Sequence, residues 1–342
     1  MIGEMSNSSK RAFSIKLDRF ATIYLNENEV LLKPESNHSA DYFFISHAHL
    51  DHVCKPSSKN VEAICSEETF LLSTLRGIGI KRSENNFPLF DSGHILGSKA
   101  ILLETENGTI LYTGDTNNSP LGNIPRQRFP RVNTLIIESN YGHPSMVFPP
   151  RQELVKEAVD YLRENLSKNR PVVLMGYPLG KSQHIQMILD SFLPDVEKYA
   201  SPSIVRYNDV YRLFSLAIEE KKTLYSQSQS LPRGYNWMLY YPNISGRNAF
   251  MQVLKKKYNA VLIGFSGRSL IDGYEETLGI DRAFPLSDHA DFNGLVKIVE
   301  ETSPQRVFTI HGFSKEFSRE LRKLEYEAYN LNSMKKKCIR IF

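Results

Sequence analysis

Apolar and polar residues follow two different periods along the chain, and the change between them lies near residue 150. Before it, short runs rich in β-branched and aromatic residues are bounded by Gly, Pro, Asn and Asp, which is typical of strands. After it, such runs alternate with stretches of helical periodicity. The predicted strands are 42–45, 99–103, 109–112, 134–137, 171–174, 260–263 and 306–310. The predicted helices are 66–76, 151–167, 181–191, 209–220, 248–258, 292–302 and 315–329.

This order of elements predicts a layered α/β protein. The 342 residues allow two domains, or one large core with an insertion. With 41% hydrophobic and 23% charged residues, the composition excludes a disordered chain and a coiled coil. We expect no membrane span, because no apolar run approaches the required ~18 residues. Three scattered cysteines (Cys54, Cys65, Cys338) and an N-terminus without an apolar segment predict a cytoplasmic protein.

The positive charge of the chain lies in its middle. Residues 151–270 hold 17 Lys and Arg against 10 Asp and Glu, a net of +7. The parts on either side are slightly acidic, with nets of −2 for residues 1–150 and −1 for residues 271–342. This pattern suits a polyanion-binding module inserted into a domain that itself holds cations. A solvated helical surface would explain the same excess.

Three of the nine histidines lie in the motif SHAHLDH, directly after a predicted strand. Alternate residues of an extended segment point to the same side, so His47 and His49 can converge on one metal ion. Asp51 and His52 follow where the chain turns, and they can face a second ion. Imidazole and carboxylate groups together suit Zn²⁺ and similar divalent ions. Since such a polar cluster has no packing role, we interpret it as a metal site.

Three further candidates each follow a predicted strand or lie in a Gly-bounded loop. They are His94 in DSGHILGS, Asp115 in LYTGDT and His311 in FTIHGF. Alone, an Asp after Gly is usually a turn residue. Together with SHAHLDH, the three complete the ligands of two ions. Functional residues concentrate in loops after strand ends, which is where all of these residues are predicted.

The motifs SHAHLDH, GHILGS and TGD, in this order and spacing, resemble those of the metallo-β-lactamase fold. Three others, ESNYG (138–142), LSDHAD (286–291) and TIHG (309–312), are similar to motifs of its β-CASP nuclease branch. Within that branch, GYPLGKSQ (176–183) and GFSGR…GIDRAFPLSDHADF look most like the ligase-associated DNA exonucleases and the archaeal RNA-processing exonucleases. The resemblance spans nearly the whole chain.

The resemblance implies an αββα sandwich of the metallo-β-lactamase type, with an inserted α/β β-CASP cap domain. Residues 1–150 and 271–342 would form the metallo-β-lactamase domain, and residues 151–270 the cap. The implied activity is two-metal hydrolysis of phosphodiester bonds in DNA or RNA, exonucleolytic rather than endonucleolytic. The implied cofactors are two divalent ions, Zn²⁺ or alternatively Mn²⁺. The implied partners are nucleic acid and a ligase and helicase of DNA repair.

Carried over position by position, the resemblance assigns a role to each candidate residue. The first ion is held by His47, His49 and His94, the second by Asp51, His52 and His311, and Asp115 bridges the two. The catalytic residues are Asp51, His289 as proton donor to the leaving oxygen, and Glu138, which orients His289. General acid catalysis of this kind contributes roughly 10²–10⁴ in rate.

One position departs from the family pattern. An aspartate that braces ligand histidines is expected after an early strand, but the matching stretch VLLKPES has Lys33 there. Carboxylates behind the ligands fix the tautomer and orientation of histidines, so another group must take over or metal affinity is lower. Asp18 and Asp41 are both near in sequence, and the sequence does not choose between them.

The turn GYPLGKS in the middle segment predicts an anion site. It is close to a Walker A loop, but Met175 stands where the first Gly is required, so we exclude an ATPase. Backbone N–H groups at a helix N-terminus still suit a phosphate. We expect Gly180, Lys181 and Ser182 to bind a phosphate of the substrate, with Arg268 as a further phosphate ligand. A tight turn with a solvated lysine is the alternative.

Two other functions stay open on the sequence. A metallo-hydrolase of small thioesters or lactones could use the same ligands, but it needs neither the basic insertion nor the motifs around Glu138 and His289. An inactive scaffold of a nucleic-acid-processing complex is the other. Such scaffolds typically lose metal ligands, whereas all seven are present here.

Overall fold

The computed structural model describes residues 14–17, 23–26, 42–53, 62–84, 86–105, 108–223, 231–232 and 236–331. The first two of these ranges are described by their backbone alone. Lys33 lies outside the described residues, and so do the two carboxylates weighed as replacements for the missing aspartate, Asp18 and Asp41.

Strands of the described residues form three sheets. In chain order the strands are β1 (Ser14–Leu17), β2 (Ile23–Asn26), β3 (Tyr42–Phe44), β4 (Glu62–Ile64), β5 (Leu89–Asp91), β6 (Lys99–Thr105), β7 (Gly108–Tyr112), β8 (Thr134–Glu138), β9 (Val172–Gly176), β10 (Glu197–Ala200), β11 (Lys222–Thr223), β12 (Trp237–Pro242), β13 (Val261–Phe265), β14 (Arg282–Phe284), β15 (Arg306–Ile310) and β16 (Glu327–Asn330). The first sheet has the order β1-β2-β3-β4, the second β16-β15-β8-β7-β6-β5, and the third β11-β10-β12-β9-β13-β14.

Helices follow from residue 67 onward. They are α1 (Glu67–Leu75), α2 (Arg151–Ser167), α3 (Lys181–Leu189), α4 (Pro202–Leu213), α5 (Ala249–Tyr258), α6 (Tyr274–Leu278), α7 (Phe292–Thr302) and α8 (Ser314–Lys323). The mixture of sheets and helices confirms the predicted α/β class. Within the described residues, no helix has both the length and the hydropathy that crossing a membrane requires.

Two predicted helices were wrong in extent. The helix predicted at 209–220 is α4, which begins earlier because Pro202 suits the first turn, where its missing N–H costs nothing. The helix predicted at 315–329 ends at Lys323, and Glu325 follows in the left-handed conformation. The residues beyond it form β16, which pairs in parallel with β15. Pairing with an existing sheet overrides the helical periodicity of that stretch.

The first and second sheets share one hydrophobic cluster. Phe44 and Ile64 of the first sheet belong to it with Ile110 and Tyr112 of the second. The rings of Phe44 and Tyr112 meet edge to face, with centroids 6.1 Å apart. Because successive strand residues point to opposite faces, Leu111 lies on the other side of the second sheet, in a cluster with residues of α7 and α8.

The middle segment contributes to two further layers. On the far side of the first sheet, Phe43 shares a cluster with Leu72 of α1 and Tyr211 of α4. The third sheet is parallel throughout. Parallel sheets need cover on both faces, and here α2 and α3 cover one face while α5 covers the other.

Loops at the carboxyl ends of several strands carry the predicted site residues. The segment after β3 contains His47, and Asp115 follows β7. Glu138 is the last residue of β8, and His311 directly follows β15. Since β7, β8 and β15 are parallel neighbours in one sheet, their carboxyl ends lie at the same edge. The topology therefore brings residues from distant parts of the chain together.

Replacing Ile110 with alanine should lower the free energy of unfolding by about 2–5 kcal/mol, because the change leaves a cavity between two sheets. Ile110 is 0% exposed. Chemical denaturation measures the effect. Ile271→Ala is the matched control, since Ile271 is 44% exposed and its loss should change stability by about 0.5 kcal/mol or less. Equal effects would contradict the proposed packing.

Candidate active site

Ring nitrogens of four histidines lie around one carboxylate oxygen, Oδ2 of Asp115. The Nε2 atoms of His47, His52 and His94 are 3.6, 3.5 and 3.7 Å from it. The Nδ1 atom of His289 is 4.0 Å away. Asp115 is buried, and so are the side chains of His47, His52 and His94. A carboxylate is thus the centre of a closed cluster of imidazoles.

A first group of possible metal ligands consists of His47, His49, His94 and Asp115. His49 Nδ1 lies 3.1 Å from His47 Nε2 and 3.2 Å from His94 Nε2. Around a tetrahedral ion with metal–nitrogen bonds of about 2.0–2.1 Å, ligand atoms are about 3.3–3.4 Å apart. The spacing of this group therefore fits a metal ion.

The second ring nitrogen of each of these histidines contacts the protein. His49 Nε2–H donates to the Leu179 carbonyl at 3.1 Å, and His94 Nδ1–H donates to the Asp288 carbonyl at 3.0 Å. His47 Nδ1 lies 3.0 Å from the Ser46 hydroxyl. Because a carbonyl can only accept, these bonds fix the tautomer in which the other nitrogen has a free lone pair. Backbone carbonyls thus orient two histidines in the way that carboxylates do in other metal sites.

A second group consists of His52, Asp115 and His311. Asp115 Oδ1 and His311 Nε2 are buried and have no hydrogen-bond partner among the described residues. Buried polar atoms without a partner are uncommon. Their donor types, carboxylate and imidazole, are those that bind Zn²⁺ and related ions. The residues present therefore fit a second divalent ion.

Asp51 does not join either group. Its side chain is 81% exposed, and its Oδ2 lies 3.9 Å from His52 Nε2. The residue lies in the turn within the histidine motif, between the exposed Leu50 and the buried His52. Its metal-binding and catalytic roles stay predictions.

His289 and Glu138 form a pair beside the cluster. His289 Nδ1 donates to Glu138 Oε1 at 2.9 Å. The Glu138 carboxylate is fully buried and also accepts from the backbone N–H groups of Thr116 and Asn140, at 2.9 and 3.0 Å. Three donors therefore fix this carboxylate, which in turn orients the imidazole.

His289 and Glu138 each stabilise the charged form of the other. Burial by itself would lower the pKa of His289, but the charge and hydrogen bond of Glu138, helped by Asp115 and Asp288, raise it to about 10. Burial likewise favours protonated Glu138, yet His289 and two backbone N–H groups outweigh it and lower the pKa of Glu138. Burial, followed by the charge of Glu138, raises the pKa of Asp115 to about 7. A cation beside Asp115 would favour its ionised form.

Two backbone conformations place the central ligands. Gly114 has φ +56°, and a Cβ there would lie 2.5 Å from the Cβ of Ser46, so only glycine lets the two loops meet. His311 itself has φ +60°, which is unusual for a residue with a side chain. Strained residues of this kind cluster at functional sites.

The turn predicted to bind phosphate is folded inward. The Gly180 N–H donates to Gln183 Oε1, and the Ser182 N–H to the Tyr177 carbonyl. The Lys181 ammonium is buried and bound to Asp288 at 2.9 Å. These donors are engaged within the protein, whereas the buried Ser182 hydroxyl has no hydrogen-bond partner among the described residues. Phosphate binding by Gly180, Lys181 and Ser182 stays a prediction.

Arg268 differs from that turn because its side chain is exposed. It lies in the short 3₁₀ turn Gly267–Leu270, after β13. Its charge acts on Tyr141, whose ring centroid is 5.9 Å from that of His289. Arg268 is thus near the site and open to solvent.

Three groups that support the site were missed from the sequence: the Leu179 carbonyl, the Ser46 hydroxyl and Asp288. The backbone carbonyl has no sequence signal. Ser46 and Asp288 each adjoin a predicted residue, in SHAHLDH and LSDHAD. That adjacency is the one signal that could have marked them.

Comparison with known proteins gives relatives along most of the chain. A protein of Opitutus terrae named "Probable DNA ligase" is 32% identical over 84% of this chain and 28% of its own length. An "RNase J-like protein" of Methanocaldococcus jannaschii is 23% identical over 80% of this chain and 82% of its own length. These relatives are members of the metallo-β-lactamase/β-CASP nuclease family, which fits the resemblance carried by the motifs of this chain.

The β-CASP relatives differ in length from this chain, which spans under a third of the Opitutus protein and most of the Methanocaldococcus one. A crystal structure of a protein of unknown function from Enterococcus faecalis V583 shares the fold. Its TM-score is 0.55, at 18% identity, over 84% of this chain and 81% of the other. No protein-family model matches the chain.

Replacing Gly180 with alanine should lower the free energy of unfolding by about 1–3 kcal/mol, the range for one strained backbone position. Gly180 has φ +90°, and a Cβ there would lie 2.4 Å from Ile95 Cγ2. Thermal unfolding measures the change. Gly79→Ala is the control, because its Cβ would have no neighbour within 4 Å. A loss as large for Gly79→Ala would refute the explanation.

Proposed function

We propose that the chain is a two-metal nuclease that hydrolyses phosphodiester bonds of DNA or RNA, acting exonucleolytically. One observation carries the proposal: the first and second groups of possible metal ligands share Asp115, which also lies in a third group with the hydrogen-bonded pair His289 and Glu138. A metal site alone would suit many hydrolases. The added proton donor with its fixed carboxylate suits a reaction that must protonate a departing oxygen.

The proposed architecture is an αββα sandwich with an inserted cap. Residues 1–150 and 271–342 form the sandwich, and residues 151–270 form the cap. The hydrophobic cluster shared by the first two sheets supports the sandwich, and so do β15 and β16, which return to the second sheet. Five of the six strands of the third sheet lie within residues 151–270, which supports a separate cap, and the sixth, β14, lies beyond the proposed boundary.

The proposed first ion is held by His47, His49 and His94, the second by Asp51, His52 and His311, with Asp115 shared. When bound, two divalent ions neutralise charge on the phosphoryl oxygens and make a water nucleophilic at neutral pH. Zn²⁺ is the proposed ion, with Mn²⁺ as the alternative, since both accept imidazole and carboxylate.

His289 is the proposed general acid. Glu138 keeps the imidazole protonated and fixes its Nδ1, so that Nε2 is the atom that can donate to the leaving oxygen. The side chain of His289 is 18% exposed, more than the ligand histidines 47, 52 and 94, which suits a group that must reach a substrate. Glu138 is a positioning residue, because it acts through His289.

A nucleic-acid substrate is supported by the surroundings of the site. Tyr177 is 62% exposed, and its ring centroid is 6.4 Å from that of His49. Such a ring can stack on a base. Arg268 is the proposed phosphate ligand. The names of the two relatives point to RNA for one and to a DNA ligase for the other, and we propose a cytoplasmic role in repair beside a ligase and helicase.

Metal content tests the ligand assignment. Wild-type protein dialysed against Zn²⁺ should retain two equivalents, His311→Ala about one, and Asp115→Asn fewer than one, because Asp115 serves both groups. Elemental analysis of the protein gives the stoichiometry. His143→Ala is the control, since His143 bonds Ser145 in a loop and belongs to neither group. Full occupancy in Asp115→Asn would contradict a shared carboxylate.

End-labelled single- and double-stranded DNA and RNA, incubated with metal-loaded protein, test the activity. A ladder of products shortened from one end is expected. His289→Ala should keep its metal but lose about 10²–10⁴ in kcat, the contribution of a general acid. Undiminished cleavage by that variant would remove His289 from the mechanism. Turnover of thioesters or lactones without any cleavage of oligonucleotides would overturn the proposed function.

A further inference from the structure

A buried lysine connects the third sheet to the active site. Lys181 begins α3, directly after the turn that follows β9, and it is 2% exposed. Its stem packs against Gly176, where a Cβ would lie 2.8 Å from Lys181 Cγ. A lysine is almost never buried unless it is paired. The groups that pair with Lys181 therefore indicate which part of the structure it stabilises.

Both partners of Lys181 lie in the segment after β14. The ammonium donates to the Leu286 carbonyl at 2.8 Å and forms an ion pair with Asp288 Oδ1 at 2.9 Å. Residues 286–289 are thus fixed at two points by one side chain, which is 105 residues away from Leu286 in sequence. Asp288 is also buried, so the pair is shielded from solvent and salt.

The same segment orients two site histidines. The Asp288 carbonyl accepts from His94 Nδ1–H at 3.0 Å, and this bond fixes the nitrogen that faces the other ligands. His289, the next residue, carries the proposed proton donor. A shift of the segment by a fraction of an ångström would therefore move both a metal ligand and the general acid.

We propose that Lys181 is a positioning residue, which holds residues 286–289 so that the Asp288 carbonyl orients His94 and the backbone presents His289. The inference rests on the proposed function and adds a residue to it. It also explains why a lysine that looks like a phosphate ligand in the sequence has a buried ammonium group. Through Lys181, the proposed cap supports the geometry of the proposed metal site.

Titration of chelator-treated protein with Co²⁺ tests the proposal without a substrate. Lys181→Met keeps the length of the side chain but removes its charge. We expect it to weaken at least one Co²⁺-binding step by about 10–100-fold, the usual effect of losing a group that orients a ligand. We also expect a changed visible absorption of the bound Co²⁺, because the geometry around His94 is altered.

Lys221→Met is the matched control. Lys221 also lies in the middle segment, has a fully buried side chain and pairs with an aspartate, Asp190, at 2.5 Å. Neither residue belongs to a group of possible metal ligands. The control should lower the thermal unfolding midpoint as Lys181→Met does, but leave Co²⁺ affinity and absorption unchanged. Asp288→Asn, which keeps the carbonyl that faces His94, is the second variant if Lys181→Met does not fold. Because Asp288 itself lies in a group of possible metal ligands with His94 and His289, unchanged Co²⁺ binding by this variant is its decisive result.

Three outcomes would overturn the proposal. One is a folded Lys181→Met, or in its place Asp288→Asn, with wild-type Co²⁺ affinity and absorption. Another is a Lys221→Met that loses as much affinity as Lys181→Met. In both cases the wild-type protein still binds two ions, so the proposed nuclease function stands. If the wild-type protein binds no Co²⁺, that function falls together with the inference.

Discussion

The fold is organised around one buried carboxylate that must sit among imidazoles. Asp115 is enclosed by ring nitrogens at 3.5–4.0 Å, and such a cluster of polar groups is unfavourable in an interior unless each atom has a partner. Neighbouring loops provide partners for the other ring nitrogens of these histidines: two backbone carbonyls, the Ser46 hydroxyl and, for His289, the Glu138 carboxylate. The remaining ring nitrogens and the Asp115 carboxylate face one another, and divalent ions are partners that both kinds of atom can bind.

Segments from the first, middle and last parts of the described chain contribute to that arrangement. The segment after β3 supplies the first histidines, and β7 and β8 supply the two carboxylates at one sheet edge. The middle segment adds the Leu179 carbonyl and the Lys181 ammonium, and the last part adds His289 and His311. The middle segment therefore contacts a candidate ligand, His49, from the first part of the chain and Asp288 from the last part.

The candidate ligands were easier to find in the sequence than the groups that orient them. The spacing of His47 and His49 after a strand already implied that they converge, because strand alternation is a local property. The burial of Lys181 was not predictable in this way, since it depends on Leu286 and Asp288, far along the chain. β16 was missed for a similar reason: its residues have helical periodicity, and only the edge of β15 makes them a strand. Resemblance to a known family predicted an order of the layers, which periodicity alone leaves open.

The position of β15 between β8 and β16 has a consequence for biosynthesis. The Ser139 hydroxyl donates to the Ile310 carbonyl, 171 residues further along, so the central part of the second sheet closes only when its late strand arrives. A nascent chain still missing that strand has neither a finished sheet nor His311. Contacts so distant in sequence form late and slowly. The candidate site is therefore completed only after β15 and the residue that follows it have been translated.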